Sequence, residues 1–101
     1  MIFETLKEKI HQWGAERDLY IQGTIFGQVN KLKEETKEVE QAFLYEDKES
    51  FIKEIGDLYV VLINLCKMID VTPEHCIYQA YEKIKDRKGK MVDGMYIKEE
   101  K

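Results

Sequence analysis

Apolar residues recur along the chain at the three- and four-residue spacing of helices, and breaks in that spacing divide it into four segments. The first runs from about Phe3 to Arg17, with Phe3, Leu6, Ile10 and Trp13 on one face. "LYIQGT" interrupts it; Gly23 is the breaker, and Thr24 is placed to cap the next helix. The second segment runs from about Ile25 to Tyr45, and Val29, Leu32, Thr36, Val39 and Phe43 form its expected core stripe. "EDKES" is a polar connection in which Asp47 or Ser50 can cap the third segment, about Phe51 to Ile69. The second half of that segment is apolar on nearly every face. This predicts a central helix, or one covered by another subunit.

"DVTPEHC" then makes a turn, with Thr72 and Pro73 at N-cap and first-helical positions. The fourth helix is expected to send Cys76, Ile77, Ala80 and Ile84 inward, and Gly89 to stop it. Residues 90–101 read as an irregular C-terminal arm. The pattern predicts an all-α, four-helix bundle-like fold in one domain, 1–101.

Composition narrows the function more than the fold. The chain has 101 residues, 36% of them charged, and a formal net charge of -4 with both signs interspersed. No basic footprint for a nucleic-acid polymer stands out. The one locally basic stretch, "KIKDRKGK" from Lys83 to Lys90, fits a helix end or an anion contact. The longest apolar run, Leu58 to Cys66, is far short of the roughly 20 residues a bilayer requires, so no membrane span is expected. Cys66 and Cys76 are the only cysteines, and no secretory signal is evident, so a cytoplasmic chain with reduced thiols is expected.

The acids carry the chemistry. With about 100° per residue, Gln28, Lys31, Glu35, Glu38 and Ala42 share a row flanking the core stripe, while Glu34 lies nearly opposite that stripe. On the third segment Glu54, Asp57, Val61 and Asn64 form a similar row, and Gly56 is expected to admit a neighbouring helix closely. Glu35/Glu38 and Glu54/Asp57 are thus two i, i+3 acid pairs on consecutive helices, and antiparallel packing would make them converge. Carboxylates that close resist ionisation unless a cation joins them. Oxygen ligands without histidine suit Mg²⁺ or Mn²⁺. None of these glutamates belongs to a Glu-x-x-His pair of the bundle di-iron kind, since neither His11 nor His75 follows one of them by three. Such a site would bind a phosphate chain through the ion and hydrolyse it. Lys31, one turn before Glu35, would meet the remaining negative charge. Trp13 reads first as core, with a base-stacking role as the sharper alternative.

"KLKEETKEVEQA" followed by "EIGDLYVVLINLCKMIDVTPEHC" resembles the EExxE…ExxD signature of MazG-like nucleotide pyrophosphohydrolases, and "QWGAERDL" and "AYEKIKDRKGKMVDGMYIKEE" fit its small members. The resemblance implies an all-α homodimer or dimer of dimers. It implies Mg²⁺-dependent hydrolysis of a nucleoside triphosphate to monophosphate and pyrophosphate by metal-activated water. By motif match, Glu35, Glu38, Glu54 and Asp57 would hold the metal, with Glu34 as a further candidate ligand. Gln28, Lys31 and Asn64 would line the substrate side, and Lys83 and Arg87 would close over phosphates. The chain departs from several relatives at Tyr81 and Glu82, where an asparagine is common. Two other readings are compatible with the acids: a non-catalytic module binding a nucleotide or alarmone through a metal, and a structural oligomerisation bundle.

Overall fold

Three short polar side chains set where the long helices begin. The Thr24 hydroxyl accepts from the Gly27 amide at 2.9 Å, Asp47 Oδ1 from Ser50 at 3.2 Å, and the Thr72 hydroxyl from His75 at 3.0 Å. Each satisfies an amide that the first turn leaves unpaired. In the computed structural model, which describes residues 1–99, these caps open α3 (Ile25–Leu44), α4 (Lys48–Met68) and α5 (Pro73–Ile84). They are preceded by α1 (Phe3–Glu16) and a single turn, α2 (Leu19–Gln22). Helix ends are made by left-handed acids rather than glycine: Asp18, Glu46 and Asp70 have φ of 58°, 55° and 58° after α1, α3 and α4. At α4 the Val71 amide then reaches back to the Cys66 carbonyl at 3.0 Å, and at α3 the Asp47 amide reaches Ala42 at 3.3 Å.

The centre is an αα-hairpin of α3 and α4, joined by three residues and packed along their lengths. Phe43 meets Phe51 with ring centroids 6.5 Å apart, and Glu38 lies by Glu54 further along, so the two helices run antiparallel. α1 lies across α4, and α2 sits against both. The buried apolar core is small, centred on Ala42, Val61 and Ile63.

The helical class expected from the pattern is what the chain adopts, with three corrections. First, α5 ends at Ile84 rather than near Gly89, and residues expected as an irregular arm form a β-hairpin, β1 (Gly89–Val92) with β2 (Met95–Lys98). Its turn is Asp93-Gly94, with φ of 51° and 81°, the two positive values a tight hairpin turn demands. Gly89 has a different task from stopping a helix, because a Cβ there would collide with the Ile97 carbonyl and the Tyr96 ring. The arm's final residues, 100–101, lie outside the described residues.

Second, the inward face of α3 is not the apolar stripe. Val29, Thr36 and Phe43 are exposed, Leu32 and Val39 are half-buried, and the buried positions are Glu35 and Ala42 in the flanking row. Third, Cys76, Ile77, Ala80 and Ile84 on α5 are exposed. Among the described residues α5 meets the rest near its start, through buried Pro73, a Glu74 carboxylate bonded to Lys7 Nζ at 2.8 and 3.0 Å, and Cys76 beside Cys66. α4 is the central helix expected, buried at Val61 and Ile63 and packed by all four other helices, while Tyr59 and Leu62 on its other side stay exposed. The chain's radius of gyration, 16.1 Å, exceeds the roughly 13 Å of a compact domain this long.

Candidate metal centre

The antiparallel register of α3 and α4 sets the two acid pairs against each other. One carboxylate oxygen each from Glu35, Glu38 and Glu54 comes within 4.8 Å of the other two. Glu35 is buried, and Glu38 and Glu54 are half-buried. Glu35 Oε2 and Glu54 Oε2 are sealed from solvent with no hydrogen-bond partner. A buried carboxylate oxygen without a partner is costly, and among the described residues no donor N–H or O–H meets either one. The Glu54 carboxyl is pushed above its ordinary range. The Glu38 carboxylate, able to share its proton, is the largest cause, followed by burial and the charges of Glu38, Asp57 and Glu35. Oxygen-only donors and orphaned lone pairs fit a hard divalent cation.

Asp57 stands apart from this trio. It is exposed, and with Glu35 it lines a cleft of about 490 Å³. Gly56 beside it does not serve the close helix approach expected of it, since a Cβ there would meet nothing within 4 Å. The cleft is walled by α1 through Leu6, Lys9, Ile10 and Trp13, and by Lys31 from α3. Lys31 Nζ lies 3.3 Å from Glu35 and 3.4 Å from Glu34, and the bond to Glu35 chiefly holds its ammonium above the ordinary range. Glu34 is exposed and touches the cluster only through Lys31. Gln28 is half-buried one turn earlier.

Trp13 is 47% exposed, so it is a cleft wall rather than core. The Arg17 guanidinium sits 4.6 Å from its ring centroid and donates to the Trp13 carbonyl at 3.0 Å, which fixes the indole. Asn64 is buried, but it does not line the cleft: its Oδ1 accepts from the Tyr20 hydroxyl at 2.7 Å. Tyr20 reaches it over Gly14, where a Cβ would lie 2.6 Å from the Tyr20 oxygen. The sequence pattern hides this clamp because "LYIQGT" reads as a break; the Gly14 and Tyr20 pair is its signal. Nor does the pattern single out Lys9. Lys83 and Arg87 are exposed on or beyond α5 and do not line the cleft.

The fold and the cluster define a helical chain with inward carboxylates suited to a divalent ion. Residues 27–92 match the MazG nucleotide pyrophosphohydrolase domain. The chain belongs to that family, whose members are generally nucleotide pyrophosphohydrolases and typically use divalent metals. No curated protein and no solved structure matches it. No helix among the described residues is long and apolar enough to cross a membrane.

Proposed function

We propose that this chain is a Mg²⁺-dependent nucleoside triphosphate pyrophosphohydrolase, with Mn²⁺ as a possible substitute, releasing a nucleoside monophosphate and pyrophosphate. The observation that carries this reading is the pair of orphaned oxygens, Glu35 Oε2 and Glu54 Oε2, beside Glu38. In this reading Glu35, Glu38, Glu54 and Asp57 hold the ion, with Asp57 completing the set from the cleft side. Glu34 acts through Lys31 rather than as a ligand.

A divalent cation held there would offset part of the triphosphate's charge and polarise its phosphoryl oxygens. The chain's own residues do the rest. Lys31 supplies a cation to phosphate oxygens at the cleft mouth. A carboxylate of the cluster takes the proton of the attacking water. The water oxygen bonds to the α-phosphorus as the bond from that phosphorus to the α,β-bridging oxygen breaks, and pyrophosphate leaves. Trp13 and Gln28 flank the substrate, and buried Asn64 acts from behind by fixing α4 to Tyr20. Lys83 and Arg87 serve phosphate only if α5 swings or a second copy presents them. The chain works as a homodimer or dimer of dimers in the cytoplasm.

A nucleotide panel assayed with Mg²⁺ tests this, with pyrophosphate and orthophosphate resolved as products. Pyrophosphate release that Glu38→Gln removes is the expected result. Orthophosphate release, or no turnover by a protein that binds nucleotide, would reject it.

A further inference from the structure

Two thiols outside the cleft are held together at the joint between α4 and α5. Cys66 lies in the last full turn of α4 and Cys76 near the start of α5, with their sulfurs 3.7 Å apart. A disulfide needs about 2.05 Å, so closing the bond brings the two sulfurs together by less than 2 Å. Cys76 is exposed and Cys66 half-buried. An external oxidant therefore reaches Cys76 first.

We propose that Cys66 and Cys76 form a reversible disulfide, closed by a low-molecular-weight disulfide such as oxidised glutathione, which staples α5 to α4. The position gives the bond its consequence. Within one chain, among the described residues, α5 is docked near its start, through Pro73, the Glu74–Lys7 pair and the Cys66–Cys76 contact, and from Ile77 onward it is almost wholly exposed. A bond at Cys76 therefore ties down the base of the segment that carries Lys83, Arg87 and the hairpin.

The step balances as two thiol–disulfide exchanges. The Cys76 thiolate attacks one sulfur of oxidised glutathione, forming a mixed disulfide and expelling one glutathione. The Cys66 sulfur loses its proton, attacks the Cys76 sulfur and expels the second. Two protein thiols are oxidised and one small disulfide is reduced to two thiols. Cys66 is the natural second partner. Burial, then its bond to Cys76 and the charge of Cys76, push its thiol up to about 11. The last two causes vanish once Cys76 is in the mixed disulfide, so the resting thiol gains reactivity when it is needed. Where the surroundings keep thiols reduced, such a bond is transient and reports the redox state.

This proposal does not depend on the hydrolase reading, and its test needs no activity. The reduced protein is incubated with oxidised glutathione and examined by intact mass and thermal melting. The expected product is a single chain lighter by two hydrogen atoms, with no thiol reactive to maleimide. Its melting temperature should rise by several degrees, reversed by reductant. Cys76→Ser, at an exposed position, should fold, form no intrachain bond and lose the oxidant-dependent rise. Cys66→Ser should stop at a glutathione adduct on Cys76. A wild-type protein that stops at that adduct, or links two chains, overturns the proposal. Closure without any rise in melting temperature overturns the staple.

Discussion

The exposed surface predicts that this chain is not stable alone. It exposes 8434 Å², whereas a folded monomer of 12.0 kDa is expected to expose about 6,000 Å². The excess is about 2,400 Å² per chain. It is largely apolar: Tyr59 and Leu62 on α4, Ile77 and Tyr81 on α5, and Phe26 and Phe43 on α3 are all more than 40% exposed. Two copies covering that excess would bury about 4,800 Å², inside the range of obligate homodimers. Folding and association should then be one equilibrium, with stability set by protomer concentration. A hundredfold dilution costs the dimer about 2.7 kcal/mol. Unfolding two such chains carries an entropy of about 0.42 kcal/mol per kelvin, so the melting temperature should fall by about 6 °C. Thermal melts at two concentrations, paired with sedimentation velocity, read both quantities. Leu62→Glu, which places a charge in the apolar face of α4, should lower the melting temperature and shift sedimentation to the monomer. A melting temperature indifferent to dilution, with a folded monomer at micromolar concentration, would refute the reasoning.

Other outcomes follow from the cluster and from the α1–α5 clamp. Mg²⁺ at about a hundred times its dissociation constant should stabilise the folded state by about 2.7 kcal/mol, and Glu54→Gln should abolish most of that gain in a melting scan. Lys31→Ala should keep the Mg²⁺-dependent gain but raise KM for nucleotide, while Glu49→Gln, on the first turn of α4 away from the cluster, should leave turnover unchanged. Lys7 holds the Glu74 carboxyl below its ordinary value, and Glu74 and Glu4 hold the Lys7 ammonium above its own. The Glu74 share of stability is therefore present above pH 4.5 and lost as pH falls through its lowered value. The Lys7 share is present below pH 10.5 and lost as pH rises through its raised value. Melting temperature against pH should show both limbs shallower in Lys7→Met.

What could be read from the chain depended on how local the cause was. Caps were legible because Thr24, Asp47 and Thr72 act on amides three residues away. The acid pairs were legible because i, i+3 spacing on consecutive helices converges in any antiparallel hairpin. Failures arose where the deciding partner was distant or missing. The apolar stripe of α3 and the inward row of α5 followed the rule that apolar faces are buried, yet within one chain both stay open. In the proposed dimer the rule applies to the assembly, and a single chain need not satisfy it. Glu35 shows the same effect in reverse. It is buried, with Ala42, on the row that faces α4, and that leaves a carboxylate oxygen unpaired inside. A chain that places acids at its closest helix contact and leaves apolar residues outside is, on the proposed reading, completed by a cation within and a second copy without. Each predicts a stability gain from adding one component, and the two gains can be measured separately.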